Sequence, residues 1–401
     1  MEERKYMERA ISLALKGTGA VNPNPLVGAV IVKNGQIIGE GWHEYYGGLH
    51  AERNAINNCI KERGESPEGA TIYVTLEPCC HYGKTPPCTE AIIENKISKV
   101  VIGSNDPNPL VAGKGVQMLK AAGIEVVTEF MKEECDSINK VFFHYIKNKT
   151  PYVVMKYAMT MDGKIATATG KSKWITGDIS RKRVHEDRNR YKAIMVGVGT
   201  VLTDDPMLNC RLDKEEGNVR NPIRIICDTN LRTPLDSNVV KTANEIDTII
   251  ATAISDDGQL AAYKNNGCKI TTVSQKDGHI DLCELMLKLG EMGIDGVLLE
   301  GGGTLNFSAL KAGIVNAVQA YIAPKIFGGE NAKSPVGGIG IDEVCDCIEL
   351  KNTRVTILGD GNACNTLCEI NNNDKKQPVI YNNNSFDILI ESEVSVRCSQ
   401  E

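Results

Sequence analysis

Three short stretches carry residue types that could do chemistry together. His50-Ala51-Glu52 offers an imidazole and a carboxylate, Pro78-Cys79-Cys80 a pair of thiols, and Pro86-Pro87-Cys88 one thiol more. One imidazole and two thiolates make a zinc (Zn2+) ligand set with three protein donors, and the fourth tetrahedral position is left for water, as in catalytic rather than structural zinc sites. His50, Cys79 and Cys88 are therefore the candidate metal ligands. Cys80 competes with Cys79; Cys79 is preferred because it directly follows Pro78, whose fixed turn aims it. Cys88 stands at the start of a predicted helix, where exposed N–H groups and the helix dipole favour the thiolate. Glu52, unligated and two residues from His50, can take a proton from water and return it to a leaving amine, which makes it the candidate catalytic residue.

A second constellation lies far along the chain. Val297-Leu-Leu-Glu-Gly-Gly-Gly-Thr-Leu-Asn306 reads as an apolar strand running into three glycines, with a helix predicted from about Asn306 to Ala312. Glycines let the backbone approach a phosphate, and a helix N-terminus presents N–H groups and partial positive charge to it. Val196-Gly-Val-Gly-Thr200 is a second glycine-bearing strand end, followed by Asp204-Asp205-Pro206. Neither is the Gly-x-Gly-x-x-Gly of a Rossmann unit. Two such loops at carboxyl ends of strands are where α/β proteins bind ligands. No His-Cys-Asp grouping here suits a metal, so any chemistry must come from a carried cofactor.

Two layered α/β assemblies can position these groups. Apolar spacing predicts a helix over 3–16, strands over 26–32 and 36–42 joined by Lys33-Asn34-Gly35, and a helix over 51–63. Strands follow at 71–75, 99–103 and 124–127, helices at 89–96 and 115–122, and a last helix over about 133–147. An opening hairpin followed by alternating strands and helices means a mixed sheet. Lys147-Asn-Lys-Thr-Pro151 is the best boundary. Beyond it, 152–158, 193–197, 223–227, 248–252 and 296–300 read as buried strands. The expected organisation is a first domain over 1–147, a linker over 148–150, a second domain over 151–370 and a polar extension over 371–401. That extension has a short strand at Phe386–Ile390.

Composition excludes several classes. The chain has 401 residues, 42% hydrophobic and 24% charged, which is ordinary for globular domains. Its charge sums to 45 − 51 = −6, which argues against a nucleic-acid partner. No apolar run approaches the ~20 residues of a membrane span, and Met1-Glu-Glu-Arg-Lys5 does not open a secretory signal. The expectation is a cytoplasmic protein with no membrane partner. Most of the fourteen cysteines are scattered singly, as buried thiols rather than disulfides.

His-x-Glu followed by Pro-Cys resembles the signature of zinc deaminases, although the second cysteine lies nine positions after Cys79 rather than three. More specifically, Asn22-Pro-Asn-Pro-Leu-Val-Gly-Ala-Val30, Gly48-Leu-His-Ala-Glu52, Thr75-Leu-Glu-Pro-Cys79, Gly83-Lys-Thr-Pro-Pro-Cys88 and Asp106-Pro-Asn-Pro-Leu-Val-Ala-Gly113 resemble the deaminase half of the bifunctional riboflavin biosynthesis deaminase/reductase family. That family has the longer loop between its cysteines. Its reductase half is resembled by Lys156-Tyr-Ala-Met-Thr-Met-Asp-Gly-Lys164, Ser172-Lys-Trp-Ile-Thr176, Val196 to Pro206, Asn209-Cys-Arg211 and Glu300 to Thr304.

The resemblance implies a cytidine-deaminase-like layered α/β domain with a mixed sheet, then a dihydrofolate-reductase-like α/β domain. It implies a small-molecule substrate, 2,5-diamino-6-ribosylamino-4(3H)-pyrimidinone 5′-phosphate. This would lose its C2 amino group and then have its ribosyl chain reduced to ribityl with NADPH. Asn24 would hold the pyrimidine through its amide. NADPH would meet Ala158, Trp174, Thr176, Thr200, Asp204 and the loop Gly302, Gly303, Thr304, Leu305, Asn306, Phe307 and Ser308. Substrate would meet Ser172, Arg188, Leu208, Arg211 and Glu300. Arg188 and Arg211 offer bidentate donors for a sugar phosphate and Glu300 an acceptor for ribose hydroxyls; Arg190 is the alternative to Arg188. A homo-oligomer is implied as well. The competing readings are a nucleoside or tRNA-base deaminase fused to a pterin-type reductase, and a non-catalytic zinc-stabilised ligand-binding scaffold. A purely structural site would bring four protein ligands and have no use for Glu52.

Overall fold

The computed structural model describes residues 2–82, 86–108, 112–213, 219–359 and 386–395. The motif residues Gly83-Lys84-Thr85 and Pro109-Leu110-Val111, and the parts of the polar extension at 371–385 and 396–401, lie outside the described residues. The chain divides into two compact units, Met1–Pro151 with Gly293–Asp295, and Tyr152–Met292 with Gly296–Glu401.

The first unit runs α1 (Glu2–Leu15), β1 (Gly28–Lys33), β2 (Gln36–Trp42), α2 (Ala51–Asn57), β3 (Thr71–Leu76), α3 (Cys88–Glu94), β4 (Lys99–Ser104), α4 (Lys114–Ala121), β5 (Glu125–Val127), α5 (Lys132–Ile138) and α6 (Lys140–Asn148). Tyr6, Met7, Ala10, Leu13 and Ala14 line one face of α1 and are buried, as their helical spacing requires. Asn34 and Gly35 both have positive φ, 51° and 75°, the geometry of a two-residue hairpin turn, and β1 pairs antiparallel with β2. The sheet order is β2-β1-β3-β4-β5, with β3, β4 and β5 parallel. The sheet is mixed, as the opening hairpin requires.

One helix expected over 133–147 is two. Asn139 (φ −117°) separates α5 from α6, and its buried amide exchanges both hydrogen bonds with the Leu26 backbone, at 2.8 and 2.9 Å. An asparagine that can satisfy a remote peptide group competes with continuing the helix. The contact fixes the strand entrance immediately after Asn24. The helix from Ala51 also departs from regularity, with a π-helical turn over Asn58–Glu62.

The second unit comprises β6 (Tyr152–Thr160), α7 (Asp178–Arg190), β7 (Ala193–Gly197), α8 (Val198–Asp204), β8 (Ile223–Cys227), α9 (Asn238–Lys241), β9 (Thr248–Thr252), α10 (Asp257–Asn265), β10 (Lys269–Thr272), β11 (Gln275–Lys276), β12 (His279–Ile280), α11 (Leu282–Glu291), β13 (Gly296–Leu299), α12 (Gly303–Lys311), β14 (Ala317–Ala323), β15 (Leu350–Leu358) and β16 (Asp387–Val394). Its main sheet has the order β10-β9-β8-β7-β13-β6-β14-β16-β15. Pairing is parallel from β10 to β14 and antiparallel over the last two strands. Apolar runs such as Ile194, Val196, Ile226 and Ile250 are fully buried, as strands covered on both faces demand.

Two features differ from the sequence expectation. Helix α12 begins at Gly303 instead of near Asn306. The Ser334–Gly337 segment passes close to this first helical residue and requires it to be glycine: a Cβ there would lie 2.9 Å from the Ser334 carbonyl oxygen. The chain end also does more than extend the domain. β16 sits between β14 and β15 in the sheet, and Leu389 packs with Val184 and Tyr321. Nothing in the polar residues before it signals this, since pairing partners far away in sequence decide it.

Leu389 is only 2% exposed. Leu389→Ala should destabilise the second unit by about 2–5 kcal/mol. Thermal unfolding followed together with ammonia release should show the second unit melting earlier while deamination persists; an unchanged melt would mean that β16 is not part of the core.

Candidate functional site

His50 is the residue before α2, Cys79 follows β3, and Cys88 is the first residue of α3. These three elements bring one ligand atom from each residue within 4.8 Å of the others, the only such group among the described residues. The Cys79 and Cys88 sulfurs each lie 3.4 Å from His50 Nδ1. The Cys88 amide donates to Cys79 Sγ at 3.4 Å. Cys79 rather than Cys80 belongs to the group. A hydrogen bond with Cys88, and then His50, holds the Cys79 thiol down at about 4 against its burial. The His50 ring is raised in turn by its bond to Cys79. The Cys88 thiol is pushed the other way, by its hydrogen bond to Cys79 and by burial, so the expected thiolate at the helix start is not favoured before a cation binds. One imidazole nitrogen and two sulfurs already drawn together, one of them held as a thiolate, fit zinc with three protein ligands.

Glu52 sits in the first turn of α2, 3% exposed. Burial pushes its carboxyl up, and the Cys79 sulfur adds to this. It is thus a carboxyl beside the ligand group and not one of it. Asn24 lies nearby on a separate loop. His43 Nδ1 lies 3.0 Å from the Leu49 carbonyl and its Nε2 3.1 Å from Asn24 Nδ2. Burial lowers the His43 pKa, and the neutral tautomer with Nδ1–H satisfies both contacts. That leaves the Asn24 side-chain oxygen to accept from a ligand.

Sequence reasoning missed the residues that hold the ligand loops. Arg53 donates from Nε to the Pro86 carbonyl at 3.0 Å and from Nη2 to the Pro87 carbonyl at 2.7 Å, fixing the approach to Cys88. Thr89 donates its amide to the Cys79 carbonyl at 3.2 Å. Buried Glu77 accepts from the Gly113 and Val116 amides at 3.0 and 3.3 Å. Arg53 adjoins a motif already singled out and Glu77 lies within one, and that placement was the available signal.

In the second unit, β7 and β13 are parallel neighbours, so α8 and α12 start side by side at their carboxyl ends. Neither helix has a side-chain N-cap. A Cβ built on Gly199 or Gly302 would meet nothing within 4 Å, so the backbone there is open to a ligand. These are features of a phosphate cradle and fit a dinucleotide. Thr200 and Asp204 lie on α8, and Gly303, Thr304, Leu305, Phe307 and Ser308 on α12. Asn306 is turned inward: it is fully buried and donates to the Pro335 carbonyl at 2.8 Å. Ala158 lies on β6, and Trp174 is 61% exposed with the Arg181 guanidinium 4.6 Å from its ring centre.

The substrate candidates separate into two kinds. Arg188 gives Nε and Nη2 to the two Glu300 oxygens, at 2.8 and 3.1 Å, and Nη1 to the Asn209 carbonyl at 3.0 Å. Its Nε/Nη2 edge is thus taken by Glu300, which argues against a free phosphate fork on that edge of Arg188. Arg190 instead lies over Tyr191. Lys156, which was not singled out beforehand, reaches Glu300 at 3.4 Å. Burial would raise the Glu300 carboxyl, but Arg188 and Lys156 hold it down at about 2. Arg211 is exposed, with Nε 3.2 Å from His185 Nε2. Leu208 is buried at a positive φ of 48° in the loop between them, and Ser172 is half-buried.

Comparison with known proteins agrees with this division. Residues 1–104 match the cytidine and deoxycytidylate deaminase zinc-binding region, and residues 151–364 match the RibD C-terminal domain. The riboflavin biosynthesis protein RibD of Actinobacillus pleuropneumoniae is 55% identical over 360 residues, which is 90% of this chain and 94% of that protein. The RibD protein of Escherichia coli is 37% identical over 368 residues, 90% and 97% of the two chains. A Thermotoga maritima crystal structure, described as a diaminohydroxyphosphoribosylaminopyrimidine deaminase/5-amino-6-(5-phosphoribosylamino)uracil reductase, is 37% identical. It superposes with a TM-score of 0.79, covering 98% of this chain and 99% of that one. The chain therefore belongs to the RibD family, the bifunctional deaminase/reductases of riboflavin biosynthesis.

Proposed function

We propose that the first unit deaminates 2,5-diamino-6-ribosylamino-4(3H)-pyrimidinone 5′-phosphate, and that the second reduces the ribosyl chain of the product with NADPH to give 5-amino-6-ribitylamino-uracil 5′-phosphate. The observation that carries the first step is Glu52, a buried carboxyl in the turn of α2 that follows His50, beside a group with three protein donors among the described residues. His50, Cys79 and Cys88 would hold zinc, which supplies Lewis acidity at an open coordination position. Glu52 takes the proton of the attacking water and returns it to the C2 amine, which leaves as ammonia. Asn24, oriented by His43, accepts from the pyrimidine.

For the second step, the α12 N-terminus and the open glycines would cradle the pyrophosphate of NADPH, which supplies the hydride. Thr200, Asp204, Trp174, Thr176 and Ala158 complete that surface. Glu300, kept ionised by Arg188 and Lys156, accepts from ribose hydroxyls, with Leu208 and Ser172 alongside. Arg211, exposed, is the residue left for the sugar phosphate. A cytoplasmic location is supported by Cys59, Cys135, Cys227 and Cys268, which are buried free thiols. Among the described residues no helix is long and apolar enough to cross a membrane. A homo-oligomer is supported by β15, an edge strand that leaves Leu350, Val355 and Ile357 exposed. A nucleic-acid partner is disfavoured by the net charge of −6.

Glu52→Gln should retain zinc but lose deamination by about 10²–10⁴-fold, while reduction of the deaminated intermediate persists. Metal content, ammonia release and NADPH oxidation measured on one preparation check this; loss of both activities in a folded protein would contradict the separation of the sites. Arg211→Met should raise the KM of the phosphorylated intermediate by about tenfold or more and leave that of its dephosphorylated form unchanged. Equal effects on the two substrates would remove Arg211 from the phosphate site.

A further inference from the structure

The segment Trp174–Gly177 is neither strand nor helix, yet its peptide groups are held by side chains, two of them from distant parts of the second unit. Lys325 Nζ donates to the Trp174 carbonyl at 3.0 Å and to the Ile175 carbonyl at 2.6 Å. Arg181 Nη1 donates to the Thr176 carbonyl at 2.6 Å. The Gly177 amide donates to Asp387 Oδ2 at 2.7 Å, and the Ser180 hydroxyl to the same oxygen at 2.5 Å.

Gly177 is the N-cap of α7 and has no side chain to cap with. Asp387, 210 residues away and 6% exposed, stands in for that missing cap. Its charge makes both hydrogen bonds charge-assisted. The placement follows from the sheet. Asp387 opens β16, which pairs antiparallel with β14 at Ile388 opposite Ile322. Lys325 lies two residues beyond the end of β14. One corner of the sheet therefore delivers a cation to the carbonyls of the segment and an anion to its amide end.

We propose that Lys325 and Asp387 are positioning residues of the reductase half, and that the last strand is thereby part of its cofactor site. They hold the backbone of 174–177 in the shape that presents Trp174 and Thr176 to NADPH. This rests on the reading of Trp174 and Thr176 as cofactor residues. Asp387 lies beyond the 151–364 matched by the reductase family, in a stretch that the sequence left without a function. A segment ordered in advance loses less entropy on binding, so its release weakens cofactor affinity more than the hydride step.

The chain has two tryptophans, Trp42 and Trp174, so a Trp42→Phe background makes Trp174 the single fluorescent reporter of the segment. In that background Asp387→Ala and Lys325→Met should each raise the KM for NADPH about tenfold, equivalent to about 1.4 kcal/mol. In both variants kcat should stay within about twofold, Trp174 anisotropy should fall, and ammonia release should be unchanged. Asp387→Asn keeps an acceptor oxygen for both donors and should return the KM to within about threefold of the parent. Lys325 is exposed, so Lys325→Met tests the idea even where Asp387→Ala fails to fold. An unchanged KM in a variant whose Trp174 anisotropy has fallen would overturn the proposal. So would a loss of kcat that tracks the melting temperature and is not rescued by Asp387→Asn. A parent protein that oxidises no NADPH with the deaminated nucleotide would instead sink the cofactor reading itself, and the proposal with it.

Discussion

Three soft donors brought to one point are the constraint on which the first unit depends. His50, Cys79 and Cys88 come from three separate elements, and their ligand atoms lie within 4.8 Å of one another. Bringing two cysteine sulfurs and an imidazole together inside a protein is favourable only where negative charge can be shared or a cation held. The surrounding structure is arranged to hold them there. Arg53 grips the two proline carbonyls before Cys88, Thr89 ties α3 back to Cys79, and Glu77 caps the neighbouring loop. Gly28 serves the same end one layer down, since a Cβ there would strike the Ala10 carbonyl and push α1 off the sheet.

The second unit solves a different problem. Its chemistry is carried by a cofactor, so its residues bind and orient. Glu300 lies between Arg188 and Lys156, an ion cluster whose partners are nearly removed from water. Such a cluster contributes little net stability, because desolvation offsets most of the attraction. Its value is a carboxylate fixed in place and ionised at any physiological pH. The glycine loops at the ends of β7 and β13 leave open backbone beside it, and the C-terminal strand closes the corner that holds 174–177.

Much of this was legible in the sequence where local rules decide. The Asn34-Gly35 turn, the buried face of α1 and the β7 and β13 strands follow from periodicity and turn chemistry. His50, Glu52, Cys79 and Cys88 stood out because their residue types have few other joint uses. What stayed illegible depends on long-range partners. Asn139 breaks a helix to serve Leu26, Asp387 caps a helix that starts 210 residues earlier, and Arg188 spends its donors on Glu300. No window of sequence contains both members of such pairs. The resemblance to a family located Arg188, but only coordinates show that its Nε/Nη2 edge is already occupied.

X-ray absorption at the zinc edge of the purified, metal-loaded chain is the most direct test of the central claim. One zinc per chain, with two sulfurs at about 2.3 Å and two lighter donors at about 2.0 Å, is the expected first shell, with one of the lighter donors exchangeable and absent from the protein. A shell of three or more sulfurs, a fourth protein ligand, or a chain that holds no zinc when Cys79 and Cys88 are reduced would contradict the account.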